Sequence, residues 1–591
     1  MKFGRLEINP AKNPAILDTA TWDPKTAWNI INSIEETYWQ SIHEAIIHER
    51  ALSANEYCIP YTTSCARYGT RAFFLAGLAD SQQVFLEIGS PMLRNSCDRE
   101  FSDKEFILGE PIGTISFSEA GHITAYKTDA DVINRYIRFL KPDKSPKALG
   151  ATPRLGIGNR MSTAVWPGIW RAMEEGNFSA NAIQNSVREL NILEDILEGR
   201  PPRTNYLFGF GPVDEGHTGS TFEGLLVAGI LDALKTDTHL EFGADADHIM
   251  VKRGREGKEK AKRVIDAARY YSFFTLDVSD ILNYGAMTVS SNSTAEAYLT
   301  DNIRHSNQRK AVLTYHSEKR YFAGQVYDLD KAAIGRLVGK YWTALNAVED
   351  LFSHIKTLKN ETPFDLELSI DENPPDIRTG DCLTTEIELM FLILEMQRRQ
   401  IPLTHIAPNF GIEKGMDYRG PDGLIGLEKR IRRLYHIAGE GGVMLDCHSG
   451  DDLTCAVRKV VGRATEGEIH FKISPALQVI FAEVLNDFDP KLFRFWWDDT
   501  LDYARREAAT GSVFATECLR QYETGADPTP SPRHAVFHHY NFASVGRRDS
   551  NGQFIHREKF YDMPPDFYRD YQDRVKLYLL EVANDVFNRN P

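Results

Sequence analysis

From about residue 150 the chain alternates between two periodicities. Short apolar segments that close on polar residues are followed by stretches with helical spacing. The apolar segments are "RLGIGNRM" (154–161), "ANAIQNSVRE" (180–189), "HLEFGADADH" (239–248) and "YSFFTLDVSD" (271–280). They continue with "FDLELSIDEN" (364–373), "LTHIAPNF" (403–410), "GVMLDCHSGD" (442–451) and "EIHFKISP" (468–475). Between them lie helical patterns such as "KEKAKRVIDAARYY", "TTEIELMFLILEMQRRQ" and "LEKRIRRLYHIAGEGG", the last stopping at glycine. Eight βα units in sequence predict an α/β fold, a (β/α)8 barrel of the TIM type, with a doubly wound sheet as the structural rival.

Three regions depart from this rhythm. Residues 1–150 read as an α/β lead-in, with a helical pattern near 25–52 and strand patterns in "QQVFLEIGS" and "GTISFSEAG". Residues 151–490 hold the barrel, with a helical insertion over 281–363. Residues 491–591 read as a C-terminal helical extension that packs on the barrel. In a barrel the chemistry lies where the strands end. Here those ends carry Asn159, Arg160, Asn185, Arg188, Asp247, His248, Asp277, Asp280, Glu367, Asp371, Asn409, Glu413, His448 and Lys472.

Composition narrows the function classes. The chain has 591 residues, 42% hydrophobic and 26% charged, which is ordinary for a globular protein. A net charge of −15 argues against a nucleic-acid surface, although a few local cations suffice for a small anionic substrate. Seven scattered cysteines without a C-x-x-C pair argue for a reducing compartment. The N-terminus lacks the apolar run of a signal peptide, and the longest apolar stretches are too short to span a bilayer. The expected location is the cytoplasm, and the expected partner is a small molecule rather than a membrane or nucleic acid. Self-association into a homo-oligomer stays open.

Several residues have two readings. Asp245 and Asp247 in "FGADADH" suit a helix cap, or they face a metal and a substrate beside His248. His448 precedes Ser-Gly-Asp-Asp, a good helix start, and reads equally as a structural histidine or a ligand. Glu367 sits inside a strand pattern, where an inward carboxylate must be paired, protonated or metal-bound. Lys472 in "IHFKIS" would point into the barrel, where a bound anion would compensate it. Glu413 and Lys414 in "NFGIEKG" are ordinarily a solvated pair. "GFGPVDEGHTGSTFEG" lacks the spacing of a phosphate loop or a dinucleotide fingerprint and reads as a flexible loop over the barrel mouth. "HHYNF" (538–542) is either core or a cluster that reaches back over the site. Taken together, His248, Glu367 and His448 come from the third, fifth and seventh predicted strands, and two imidazoles with carboxylates suit a catalytic divalent metal.

The ordered set "RLGIGNRM", "AIQNSVRE", "FGADADHI", "LDVSD", "FDLELSIDE", "IEKGMDYRG", "HSGDD" and "HFKIS" resembles the tagaturonate epimerase family of uronate catabolism. The resemblance covers roughly residues 150–510 and extends to the "HHYNFASVG" tail. It implies an isomerase, a metal-dependent epimerase that interconverts D-tagaturonate and D-fructuronate, or in relatives the ketohexoses tagatose and fructose. By resemblance, Asp247 and Glu367 match acid/base carboxylates, and His248 and His448 match ligands of a divalent cation such as Zn, Mn, Ni or Co. Glu413 is the expected third ligand. Arg188, Asn185, Lys414, Lys472 and His539 are the expected substrate contacts, with the uronate carboxylate on Lys472, Arg188 or Lys414. The long lead-in and the inserted "GRPPRTNYLFGFGPVDEGH" depart from shorter family members.

The inverted carbon in this reaction is β to the ketone, so simple enolisation cannot reach it. Retro-aldol cleavage and re-addition can, and the chain has no nicotinamide fingerprint for a transient oxidation. The rivals are a metal-dependent aldose–ketose isomerase with a similar site and a non-catalytic carbohydrate-binding barrel. Inward polar residues at so many strand ends speak against the second.

Overall fold

The computed structural model describes residues 1–18, 21–93, 106–118, 121–207, 211–374, 377–413, 415–448, 450–525 and 529–587. Eight parallel strands close into a barrel, one at each of the eight predicted places. They are β1 (Arg154–Gly158), β2 (Ser179–Ser186), β3 (Phe242–Met250) and β4 (Phe273–Asp277), then β5 (Asp365–Ser369), β6 (His405–Ala407), β7 (Met444–Cys447) and β8 (His470–Ile473). Each pairs with its sequence neighbour, and β8 returns to β1 with Lys472 opposite Gly156. Strands buried on both faces carry near-continuous apolar runs, which is why the short segments were legible.

The floor of the barrel is held by an ion pair. Arg154 at the start of β1 lies 3.2 Å from Asp365 at the start of β5, both buried. Asp365 also accepts from the Leu149 and Gly150 amides at 2.9 and 3.1 Å, so its charge is fully used. Gly156, one turn of the pleat above, makes room: a Cβ there would lie 2.6 Å from the Lys472 stem.

The helices complete the outer ring. Helix Glu386–Arg398 opens on a capping box, with Thr385 and Glu388 each bonding the other's backbone amide. The 29-residue helix Lys331–Lys359 packs between helices Gly254–Ala267 and Glu386–Arg398, so the region expected as an insertion supplies the fourth helix of the ring. Helix Phe222–Ala233 is apolar apart from Glu223 and Asp232 because the lead-in covers its outer side. No helix among the described residues is long and apolar enough to cross a membrane.

The lead-in forms an antiparallel sheet, Cys58–Pro60, Arg71–Leu78, Gln83–Gly89, Gly121–Tyr126 and Pro111–Ser118 in spatial order. Helices Pro24–Ser33 and Glu36–Ile47 bury Ile31, Trp39 and Ile42 against one face. On the other face, helix Ala130–Phe139 stacks Tyr136 on Phe85 with ring centres 4.1 Å apart. The C-terminal region is helical, and helix Pro490–Ala509 clamps the short helix Ala535–Tyr540. The Trp496 indole donates to the Asn541 carbonyl at 2.9 Å, and Trp497 stacks on Phe537. That clamp is what carries His538 and His539 to the barrel mouth.

Candidate active site

A cavity enclosing about 880 Å³, solvent at its mouth included, opens at the C-terminal ends of the strands. Its wall includes Gln184, Arg188, Asp247, His248, His448 and Lys472 from the barrel, His217 from the inserted loop, and His538 and His539 from the tail.

Asp247 and His248 are neighbours in β3, and a regular strand would send them to opposite faces. The pairing of β3 with β4 slips between Ala246 and Ile249, and His248 adopts φ of 47°. This bulge turns both side chains to the cavity. The strand runs on to Met250, and the next helix is preceded by Arg253, so neither Asp245 nor Asp247 caps it. The capping reading is corrected on that ground. Asp245 instead lies buried beneath the cavity, 3.2 Å from the Thr275 hydroxyl and 3.3 Å from Lys472.

Lys472 is the hub of the floor. Its ammonium lies 2.7 Å from Glu367, 2.9 Å from Asp247, and 3.3 Å from both Asp245 and Asp446. Four carboxylates therefore compensate it, and the expectation that it awaits a substrate anion is corrected. They outnumber it, which leaves the floor short of positive charge. Burial pushes the Asp245 carboxyl well up, with neighbouring carboxylates adding to what Lys472 only partly offsets. Burial also acts on Asp247, but His248 and Lys472 outweigh it and hold that carboxyl well down. The two neighbouring carboxyls are thus shifted in opposite directions.

The two histidines meet edge to face, ring centres 4.5 Å apart. His248 sets Nδ1 3.1 Å from Asp277 and turns Nε2 toward Asp247, 4.0 Å away. His448 has Nε2 2.8 Å from Glu367 and Nδ1 3.1 Å from Asp371. Carboxylates behind ring nitrogens fix imidazoles in the manner of second-shell partners of a metal. Asp247, His248 and His448 each offer a ligand atom, all within 4.8 Å of one another. A donor set of two imidazoles and a carboxylate over a negatively charged floor fits a divalent cation.

Other expected residues lie elsewhere. Glu367 is fully buried one layer below the wall and reaches the cavity only through His448 and Lys472. Asn185 does not face the cavity; its amide donates to the Asn159 carbonyl at 3.3 Å. Glu413 is engaged by Arg419 at 2.6 Å and joins no potential ligand group among the described residues, so it does not complete the histidine pair. Lys414 lies outside the described residues, as do residues 208–210 of the glycine-rich loop. The described part of that loop lines the cavity with Val213 and His217.

Sequence reasoning missed Gln184, His217 and Asp452 as wall residues, whereas His538 belongs to the "HHYNF" cluster for which a place over the site was one of two readings. Gln184 precedes the Asn that was singled out, and the pleat decides which of the two faces inward. His217, flanked by glycines in "EGHTG", carried a signal of its own. Asp452 accepts from the Gly415 amide at 2.7 Å and lies 3.3 Å from His538, tying the tail to the barrel. Burial lowers His217 to about 3 and His539 to about 4, so both face the cavity as neutral imidazoles near pH 7. Arg188 is buried and paired with Glu372, while Arg160 lies 2.9 Å from Glu189. Three buried polar atoms of wall residues, Gln184 Oε1, Arg188 Nε and His217 Nδ1, have no protein partner among the described residues.

A profile of the tagaturonate epimerase family (UxaE) matches residues 214–576, more than half of the chain. The crystal structure of fructuronate-tagaturonate epimerase UxaE from Cohnella laeviribosi with two glycerols superposes with a TM-score of 0.62 at 18% identity, covering 93% of this chain and 100% of that one. The native crystal structure of the same enzyme gives a TM-score of 0.61 at 17% identity over 93% and 99% of the two chains. No curated protein sequence matches the chain.

Proposed function

We propose that this chain, which belongs to the tagaturonate epimerase family and is thereby an isomerase-class enzyme, interconverts D-tagaturonate and D-fructuronate in the cavity at the barrel mouth. One observation carries the reading: a single cavity joins the Asp247 carboxylate and two fixed imidazoles to two guanidiniums and to three polar atoms without a protein partner among the described residues. Buried polar groups without partners are costly and call for a ligand that supplies them. A polyhydroxylated acid does so, and Arg188, which keeps donor atoms beyond its pairing with Glu372, can add a bond to the uronate carboxylate. The expected contacts Asn185, Lys472 and Lys414 are not retained in this reading, whereas His539 is.

Asp247, His248 and His448 would hold the divalent cation, which when bound supplies Lewis acidity at the ketone oxygen. The rest is the work of side chains. Asp247, beside the Lys472 ammonium at 2.9 Å, takes the proton from the hydroxyl at the inverting carbon. The bond from that carbon to the one beside the ketone breaks. Its electron pair passes into the ketone fragment as an enediolate, and the inverting carbon becomes an aldehyde. After the aldehyde turns over, the bond re-forms on its other face and Asp247 returns the proton. Arg188 anchors the carboxylate throughout. Glu367, expected to move a proton itself, is assigned here to holding the His448 ring and the Lys472 charge, because it lies below the wall.

Incubation with tagaturonate, fructuronate, tagatose and fructose, followed by NMR of the products, tests the reading. Interconversion of the two uronates is expected. An aldose product would assign the chain to carbonyl migration instead, and no turnover with any metal-loaded preparation would remove the proposal.

A further inference from the structure

A second, smaller cavity lies on the flank of the barrel, between the end of β2, the inserted loop, helix Gly254–Ala267 and the tail. Five cations line it, Arg200, Arg203, Lys260, Arg263 and Arg548, against two carboxylates, Asp195 and Glu215. Asp195 is shared between Arg200 at 2.6 Å and Arg263 at 2.7 Å, and Glu215 is taken by Lys260. Glu194 and Glu198 complete the pairing of Arg263 and Arg200 from outside the cavity. Arg203 and Arg548 have no carboxylate within 4.0 Å among the described residues. Arg548 is half-buried with one bond to the Arg200 carbonyl, and burial holds its guanidinium below the ordinary value, offset only in part by the more distant Asp195 and Asp214. A cation removed from water without a counter-ion is unfavourable, and an anion repays it.

The wall of this cavity is also a wall of the active site. After β2, Ser186, Arg188 and Glu189 face the active-site cavity while Val187 and Leu190 face the flank. The two sides are joined through the inserted loop. The Glu215 amide bonds the Arg203 carbonyl at 2.8 Å, and the next amide, Gly216, bonds the Arg188 carbonyl at 2.7 Å.

We propose that the flank cavity is an effector site for a small dianion of the phosphate class, and that its occupation moves Arg188 and so changes substrate affinity. Two guanidiniums lacking counter-ions match the near-double charge that a phosphate group carries at neutral pH. Arginine forks suit its planar faces of oxygen acceptors. Free phosphate and a phosphorylated metabolite share that chemistry.

Calorimetric titration of the full-length protein with inorganic phosphate, and separately with a hexose 6-phosphate, tests the site without reference to activity. Saturable binding is expected, weakened at least about tenfold by Arg203→Gln, an exposed position, and by Arg548→Gln. Binding should survive Arg188→Gln, which removes a cation from the active site alone. Tighter binding of the sugar phosphate identifies a phosphorylated metabolite as the ligand; equal affinity identifies free phosphate. Absence of saturable binding, indifference to both flank variants, or loss in Arg188→Gln would each overturn the site. The kinetic arm rests on the epimerase reading. Saturating phosphate should change the KM for tagaturonate in the wild type and not in Arg203→Gln, whose activity without phosphate matches wild type. Binding with KM and kcat both unmoved overturns the coupling and leaves the epimerase reading intact.

Discussion

A histidine with φ of 47° in a fully buried strand stands in a sparsely populated region, one that Asn, Asp and His enter more readily than other non-glycine residues. Its geometry accounts for what was legible in "DADH" and what was not. The adjacency of Asp247 and His248 is plain in the sequence, and so is their place at a strand end. That both face one cavity is not, because strand alternation forbids it and the bulge that permits it leaves no composition signature. Substitution follows the same logic. His248→Ala removes the ligand and also strains the backbone, whereas His248→Asn tolerates the left-handed conformation. Both His248→Asn and His448→Ala should lose activity and bound divalent metal while keeping the wild-type circular dichroism spectrum; full activity in either metal-loaded variant would remove that residue from the site. For Glu367→Gln the size of the loss decides the role. A residue that orients a ligand is worth about 10–100-fold, and a proton-transferring group about 10²–10⁴-fold. We expect the smaller range in kcat, with weakened metal binding, and a larger loss with metal retained would return Glu367 to proton transfer.

At the scale of elements, the barrel strands were readable because parallel strands buried on both faces leave apolar runs of fixed length. The ring helices were readable from their period and stops. The fourth helix was not assigned to the ring, since more than fifty residues of short helices and a hairpin separate Lys331 from the end of β4. Sequence distance hid a spatial neighbour. Beside the apolar face it buries, its attachment to the ring includes one buried polar cluster: Glu388 accepts from Lys340 at 2.5 Å and Tyr341 at 3.0 Å while completing the capping box of its own helix. Burial opposes the ionised form of Glu388, but Lys340 outweighs it and lowers its pKa. A carboxyl lowered in the folded state stabilises at pH values above its unfolded pKa, and the contribution is lost as pH falls through the folded value. Glu388→Ala leaves the Lys340 ammonium buried and unpaired, which should cost about 3–5 kcal/mol. Urea unfolding at pH 7 measures it. The difference between variant and wild type should shrink in acid, and a loss below about 1 kcal/mol at pH 7 would mean that solvent reaches Lys340.

For the whole molecule, the telling feature is how many parts close one cavity. Barrel strands supply the chemistry, the inserted loop brings His217, and the clamped tail brings His538, His539 and Phe542. A retro-aldol reaction needs such enclosure, because its two fragments must stay together long enough for one to turn over and rejoin. In that route the carbon–hydrogen bond at the inverting centre is never broken. Substrate carrying deuterium there should keep all of it in the product, and no label should enter that carbon from deuterated water. The expectation follows from the position of the ketone, which acidifies the hydrogen next to it and not the one a carbon further on. Transient oxidation with internal hydride return would also retain the label, so a second measurement separates them. Dihydroxyacetone supplied with the matching three-carbon aldehyde acid should be joined into small amounts of both epimers, which no oxidation route can do. Washout of deuterium from the inverting carbon would exclude cleavage altogether. Asp247 would then be a base acting directly on carbon, and the closed cavity would serve to exclude water rather than to retain fragments.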